Sequence, residues 1–306
     1  MRIFEGRPVA AVIRRLLIQH MSTMSSPPRI GCLLVGDDQA SHIYVGNKRR
    51  VAEEIGAVFE VVTLPASASA KEVEAAVQQL NKRADIDSFI VQLPLPATSR
   101  AQTSAIIDAI APEKDVDGLT AATRARIEYG DRIGFYPTPA FAILVLIAAA
   151  TGDENWSSAL EHHFATGERP QLLPSSLKGR QAVVVSNGDV FGSVLQLVLE
   201  QGGLKTAVRR SDAPDMAVVI SRSDIVVPAV GLPGCITGRI LKHGAFVFDV
   251  GTTMVGETLR GDVDWESVQT CDVTVTPVPG GVGPVTVACL FANAVVLQTL
   301  RRVTVS

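Results

Sequence analysis

Apolar residues in this chain fall into short continuous runs separated by amphipathic stretches. Ile30 to Val35 (IGCLLV) has the pattern of a buried strand and ends at Gly36. Ser41 to Ile55 carries helical spacing and stops at Gly56. Phe59 to Leu64 reads as a strand, Ser69 to Asn81 as a helix, and Ser88 to Leu93 as a strand broken by Pro94 and Pro96. This β-α-β-α-β order predicts a parallel sheet flanked by helices. The second half repeats the scheme. Strands are expected at Ala182 to Val185, Thr206 to Val208, Ile225 to Val230, Phe246 to Val250 and Val273 to Thr276. Helices are expected at Ser193 to Glu200 and Asp215 to Ser221, and an apolar helix closes the chain from Val285 to Arg302. The fold class that follows is α/β. No internal sequence repeat accompanies the repeated architecture. Between the halves, 152–178 is polar and turn-rich and reads as an exposed insertion, with His162 and His163 solvent-facing and without chemistry.

Composition narrows the picture at a few points. A chain of 306 residues suffices for two domains with their own cores. Hydrophobic content of 47% against 19% charge indicates a folded globule. A net charge of −3 supplies no basic surface for nucleic acid. Cys32, Cys235, Cys271 and Cys289 have no C-x-x-C spacing, so neither a zinc site nor a disulfide framework is expected, and a reducing compartment is. The opening MRIFEGRPVAAVIRRLL lacks an uninterrupted apolar core and fits an amphipathic helix; a mitochondrial presequence is the alternative, disfavoured by Glu5. Phe141 to Ala150 is too short to span a bilayer, and no membrane partner is expected.

Six places carry candidate chemistry. Tyr44 and Lys48 stand four apart, which on a helix puts phenol and amine on one face. Such a pair suits acid–base work, and equally an exposed basic helix, since Arg49 and Arg50 follow. Gln92 ends an apolar strand before a proline stop, either at a ligand or facing water. Lys114-Asp115-Val116-Asp117-Gly118 can form a tight acidic loop whose carboxylate meets the N–H groups of a heterocycle, or a solvated turn. No metal is implied there. Ser186 to Gly192 (SNGDVFG) lies between strand and helix, a weak dinucleotide signal in itself, since helix N-termini bind phosphates. Some twenty residues on, Arg209, Arg210 and Ser211 suit a 2′-phosphate, hence NADP over NAD. Asp249 and Gly251 end another strand, where a capping role for the acid is the favoured reading. Finally, Thr276 to Pro284 (TPVPGGVGP) holds three prolines and three glycines in nine positions. It reads as a rigid, backbone-presenting loop that cannot itself be helical, feeding the closing helix.

Together these segments resemble the bifunctional methylenetetrahydrofolate dehydrogenase/methenyltetrahydrofolate cyclohydrolase family. The matching pieces are YVGNK at 44–48, VQLPLP at 91–96, PEKDVDGL at 112–119, GDVD at 261–264 and TPVPGGVGPVT at 276–286, in order and with similar spacing. The likeness covers nearly the whole chain except 153–177. It implies a folate/catalytic domain (1–145 with 285–306), a Rossmann-like NADP-binding domain (146–284, insertion included), and an active-site cleft between them. It implies oxidation of 5,10-methylenetetrahydrofolate with NADP, NAD being possible, then hydrolysis of the methenyl product to 10-formyltetrahydrofolate. By that resemblance Lys48 is the general acid/base, Gln92 holds and tunes it, Tyr44 stacks on the folate and Asp117 anchors the pterin. Folate contacts extend to Val45, Gly46, Asn47, Val91, Leu93, Pro279, Gly280, Gly281, Val282 and Gly283. The nucleotide falls to Ser186, Asn187, Gly188, Gly192, Arg209, Arg210, Ser211, Gly251 and Thr252. A homodimer and a cytoplasmic location also follow from the family.

The departures cluster. The family's G-R-S is Ser186-Asn187-Gly188 here, its H-S-x-T is Arg210-Ser211-Asp212-Ala213, its P-C-T-P is Tyr136-Pro137-Thr138-Pro139, and its G-I-N is Gly251-Thr252-Thr253. All lie on the cofactor side or its rim. The alternatives are therefore a cyclohydrolase with weak or absent dehydrogenase activity, or a non-catalytic folate-binding relative.

Overall fold

A computed structural model describes residues 1–305 of the chain, with side chains given except at positions 189, 190 and 302–305. The chain begins with β1 (Arg2–Ile3), α1 (Gly6–Met21), β2 (Arg29–Val35), α2 (Gln39–Ile55), β3 (Val58–Leu64), α3 (Ala70–Lys82) and β4 (Ser88–Val91). Helices α4 (Ala97–Arg100), α5 (Thr103–Asp108), α6 (Ala121–Glu128), α7 (Thr138–Ala150) and α8 (Trp156–Thr166) follow. Next come β5 (Gln181–Ser186), α9 (Asp189–Gln201), β6 (Lys205–Arg209), α10 (Met216–Ile220), β7 (Ile225–Ala229) and β8 (Phe246–Val247). The last elements are β9 (Thr253–Val255), β10 (Thr258–Arg260), α11 (Trp265–Val268), β11 (Thr274–Val275) and α12 (Val282–Val305). Every long element expected from the hydrophobic pattern is present. Ser306, the last residue of the expected first domain, lies outside the described residues.

The chain forms two compact units. One comprises Ile13–Thr138, Leu160–Pro170 and the chain from Val287 onward. Its sheet has the order β3-β2-β4, all parallel, with Gly31 paired to both Glu60 and Phe89. Because β3 and β4 lie on opposite sides of β2, the carboxyl ends of β2 and β4 open at a point where the winding reverses, the usual ligand position in open parallel sheets. The core on one face joins Leu33, Val35, Val73, Val77, Leu80, Phe89 and Val91. α3 is secured by a capping box, Ser69 and Glu72 each satisfying the other's backbone N–H.

The other unit comprises Met1–Val12, Pro139–Ala159 and Gln171–Thr286. Its six strands run in the order β1-β11-β8-β7-β5-β6, parallel throughout. The order reverses at β5, so the turn after β5 sits at the corresponding switch point. The N-terminal strand β1 and the antiparallel hairpin β9–β10 have no counterpart in the expectations.

Two expectations need correction. The segment 152–178 is not simply exposed: it contains α8, with Leu160, His163 and Phe164 all fully buried. One face of that helix is apolar and turns inward, taking His163 with it, while His162 stays largely exposed. The helix α12 begins at Val282, so the last three residues of TPVPGGVGP are helical. Pro284 is tolerated there because first-turn N–H groups have no helical partner. Among the described residues α12 is long and apolar enough to cross a membrane, but 78% of that span is buried, as in a core helix.

Candidate active site

Helix α2 starts at Asp38, whose carboxylate accepts from the Ser41 backbone N–H at 2.8 Å, and it ends at Gly56 in the left-handed region. Its register puts Val51, Ala52 and Ile55 in the core and leaves Tyr44 and Lys48 half-buried on a shared face. Lys48 Nζ donates to Gln92 Oε1 at 2.7 Å. Gln92 directly follows β4; its backbone N–H donates to the Leu33 carbonyl and its side-chain amide to the Leu93 carbonyl at 2.7 Å. Both ends of the amide are thus fixed, and the oxygen is held toward the lysine. Lys48 and Gln92, drawn from two motifs 44 residues apart, meet at the carboxyl edge of one sheet. Val45 and Val91 are buried, Leu93 packs against the core, and Gly46 and Asn47 face solvent.

The acidic loop divides its two carboxylates between two tasks. Asp115 is fully buried and accepts from the backbone N–H groups of Gly118 (2.9 Å), Leu119 (3.2 Å) and Thr120 (2.9 Å), and from Thr123 Oγ1 (2.8 Å). It builds the turn. Gly118 closes it with a φ of 70°, and a methyl group there would come within 2.8 Å of Pro137 Cα. Asp117 has no such backbone donors. Burial raises its pKa, Asp115 adds to the rise, and Lys48 and a hydrogen bond from Thr138 oppose it. Lys48 and Asp117 therefore share one electrostatic environment, and the thiol of Cys32 on β2, pushed up to about 12 by burial, lies in the field of both.

Beyond the candidate residues, this unit holds a polar hub that sequence reasoning did not single out. Asn293 of α12 is fully buried and its amide reaches the carbonyls of Val116 (3.0 Å) and Tyr136 (2.9 Å) and Thr138 Oγ1 (3.1 Å). Arg169, which follows α8, holds the carbonyls of Phe135 and Asp131 and lies 5.9 Å above the Tyr136 ring. An amide in the middle of an apolar helix was the available signal.

In the other unit, the loop of Thr276 to Gly281 is rigid as expected. Gly280 has a φ of 110°, Gly281 N–H donates to the Pro277 carbonyl at 2.7 Å, and the Gly6 N–H donates to the Gly280 carbonyl at 2.9 Å. A side chain on Gly281 would meet Thr276 and Pro277 at 2.6 Å. Pro279 and Gly283 are exposed, while Gly280 and Val282 are buried.

At the switch point of the six-stranded sheet, Ser186 ends β5 and Asn187 faces the end of β6. Asn187 Nδ2 donates to Ser211 Oγ at 3.0 Å, Asn187 Oδ1 accepts from the Ser211 N–H at 3.1 Å, and the Asn187 carbonyl accepts from Arg210 Nη1 at 3.1 Å. Gly188 caps α9 without a side chain, and a methyl group on Gly192 would come within 2.9 Å of Val208 Cγ1. The open helix start and the close helix–strand approach fit a dinucleotide. Of the two arginines, Arg209 is engaged by both oxygens of Asp215 at 3.0 and 2.9 Å, whereas Arg210 meets Asp212 at 3.3 Å and stays largely exposed. Arg210, not Arg209, is the cation available to a phosphate.

Gly251 follows β8 on the same sheet edge, and its N–H donates to Asp249 Oδ1 at 2.9 Å. Asp249 also accepts from the Asp262 and Val263 N–H groups, and burial lifts its pKa to about 7. The capping reading of Asp249 holds. Thr252 is exposed. Among the described residues, no three His, Cys, Asp or Glu side chains are grouped to hold a metal ion.

Comparison with known proteins decides the family. Residues 4–117 match the tetrahydrofolate dehydrogenase/cyclohydrolase catalytic domain and residues 171–302 its NAD(P)-binding domain. A bifunctional protein FolD from Moorella thermoacetica is 37% identical over 98% of this chain and 99% of its own length. The chain belongs to the tetrahydrofolate dehydrogenase/cyclohydrolase family. A Staphylococcus aureus FolD is 32% identical over 98% of each chain. The methylenetetrahydrofolate dehydrogenase-cyclohydrolase of Trypanosoma brucei, solved with NADP and an inhibitor, superposes with a TM-score of 0.84 at 30% identity over 98% of each chain. Within the family frame, the unit holding Lys48, Gln92 and Asp117 carries the catalytic domain, and the six-stranded sheet belongs to the NAD(P)-binding domain.

Proposed function

We infer that the protein oxidises 5,10-methylenetetrahydrofolate with NADP and hydrolyses the methenyl product to 10-formyltetrahydrofolate. The observation that carries this reading is the Lys48–Gln92 hydrogen bond of 2.7 Å at the carboxyl edge of the three-stranded sheet, beside Asp117. In the oxidation a hydride leaves the methylene carbon, and bound NADP supplies its acceptor. In the hydrolysis water adds to the methenyl carbon, the bond from that carbon to N5 breaks, and a proton is released. Lys48 is the group assigned to proton transfer, with Gln92 fixing its position. Asp117 accepts the N–H edge of the pterin, and Tyr44 packs against the folate. Pro279 to Gly283 are assigned to the folate through the family motif. Ser186, Asn187, Gly188, Gly192, Arg210 and Ser211 are the residues that would hold the dinucleotide.

Purified protein given methylenetetrahydrofolate and NADP should gain the absorbance of the methenyl product, with NAD run in parallel. Supplied methenyltetrahydrofolate should decay faster than in buffer. Lys48→Ala should slow that decay by about 10²-fold or more; undiminished decay would remove Lys48 from the mechanism. A hydrolase without the oxidation, the reading favoured by Asn187 in place of the family's arginine, would show decay but no signal with either cofactor. A protein without either activity would be a binding relative only. We further propose that the chain is a cytoplasmic homodimer, as the family resemblance implies; sedimentation velocity should give about twice the chain mass of 32.4 kDa, and a single species at that chain mass would refute it.

A further inference from the structure

We propose that Asp262 is a positioning residue for the dinucleotide, setting the wall of its crevice formed by the chain just after β7, and that Asp249 holds Asp262 in place. The inference rests on the dinucleotide reading above. In the six-stranded sheet the winding reverses between β5 and β7, and their parallel register pairs Ser186 with Ala229. The chain therefore leaves both strands at one level, with Ser186 to Gly188 on one side of the crevice and Val230 to Leu232 on the other. Asp262 is fully buried, and its carboxylate accepts from three successive backbone N–H groups: Val230 at 2.6 Å, Gly231 at 3.2 Å and Leu232 at 2.8 Å. Consecutive N–H groups converge on one carboxylate here because Gly231 has a φ of 75°. Gly231 and Leu232 are themselves exposed. One side of the wall thus meets solvent, and the backbone behind it is fixed by an acid shut away from solvent.

Asp249 fixes that acid in turn. It is 3% exposed and accepts from the Asp262 N–H at 3.1 Å, the Val263 N–H at 2.9 Å and the Gly251 N–H at 2.9 Å. The two acids and two glycines are arranged reciprocally. A methyl group on Gly251 would lie 2.2 Å from Asp262 Cγ, and one on Gly261 would lie 2.1 Å from Asp249 Oδ2. Each carboxyl occupies room that a side chain at the facing glycine would fill. Gly251 and Gly261 flank the hairpin β9–β10, so the crossing closes that hairpin at its base. Thr253 Oγ1 then ties the hairpin to the Gly231 carbonyl at 3.1 Å. Gly251, assigned to the nucleotide by its motif, lies in this crossing, and Thr252 follows it. An amide in place of either acid would turn a donor toward N–H groups. The arrangement is kept although burial and the charge of Asp262 work against the Asp249 carboxylate.

Asp262→Asn keeps the size of the side chain and turns a donor toward the loop after β7. The KM for NADP should rise about tenfold, and more than kcat falls. The NADP dissociation constant, read by titration calorimetry, should rise by a similar factor. Asp249→Asn should act in the same direction, and the double variant should show less than the sum of the two effects. Asp224 is the control, since it braces the opposite edge of the same sheet: it accepts from the Gln181 N–H at 3.0 Å and from Lys242 Nζ at 2.6 Å. Asp224→Ala should lower the urea midpoint and leave the NADP dissociation constant unmoved. Equal weakening of NADP by Asp224→Ala would reduce Asp262 to a stabilising part and overturn the proposal. A folded Asp262→Asn that binds NADP as the wild type does would also overturn it. Should Asp262→Asn fail to fold, Gly231→Ala decides in its place. It strains the exposed wall at a φ of 75°, leaves both acids intact and meets nothing closer than Thr253 Oγ1 at 3.8 Å. The NADP dissociation constant should then rise about fivefold, and an unchanged value would overturn the proposal. Wild-type protein that takes up no NADP would remove the dinucleotide reading itself; NADP bound equally by wild type and variants would remove only the positioning role.

Discussion

Two acids two residues apart have opposite value to the protein. Asp115 receives four hydrogen bonds and organises the turn, while Asp117 is left to burial, Lys48 and Thr138. Asp115→Ala should therefore lower unfolding free energy by about 3 kcal/mol or more, since the buried N–H groups of Gly118 and Thr120 and the part-buried N–H of Leu119 lose their acceptor. Asp117→Asn should leave the urea midpoint unchanged or raise it, because burial already disfavours its charge, while the folate KM rises. Equal destabilisation by both would show that the division of labour is wrong. The sequence could name both acids but not tell them apart, because the spacing D-x-D-G says nothing of which carboxylate meets the backbone. Tyr44 and Lys48 were legible for the opposite reason: the i, i+4 relation on a helix sets their shared face whatever they contact. Gln92 could be placed at a strand end, and only the fold joined it to Lys48.

The elements themselves were readable wherever period and boundary agreed, as in α2 between Asp38 and Gly56 or α3 behind Ser69. They were not readable where tertiary pairing supplies what local pattern lacks. The strand β1 exists because Arg2 and Ile3 pair with Thr274 and Val275, and nothing local in two residues predicts that. Helix α8 was concealed by a polar composition whose apolar positions occupy only one face. Its buried His163 has a testable consequence. Burial lowers the His163 pKa to about 4, and its ring hydrogen-bonds to the Glu168 carbonyl at 2.6 Å. An unfolded histidine titrates near 6.5, so between those values the unfolded chain binds more protons than the folded one. The stability contribution is then present above about 6.5 and is lost as the pH falls toward 4. It is on the order of 3 kcal/mol over that window. Urea midpoints measured from pH 7 to pH 4.5 should fall, and should fall less in His163→Gln; parallel curves would assign the loss elsewhere.

At the scale of the whole chain, one arrangement recurs in both units: a parallel sheet whose strand order reverses, with the polar residues of interest just past the strand ends. Gln92 stands after β4 and Asn187 after β5 for that common reason. The motifs for folate are intact and those for the nucleotide are substituted, yet Asn187, Ser211 and Arg210 form a connected set where the family's arginine would stand.

The four thiols give the molecule a built-in clock. Cys235 and Cys271 are partly exposed, whereas Cys32 and Cys289 are fully buried with their thiols held far into the protonated form. An alkylating reagent reaches a buried thiol only when its surroundings open. Cys32 lies in the middle of β2, so its labelling times the opening of the sheet at whose edge Lys48 and Gln92 meet. Mass spectrometry of partly alkylated protein should show Cys32 modified late. A bound folate should delay it further by holding that sheet closed, and equal labelling with and without folate would place the ligand elsewhere.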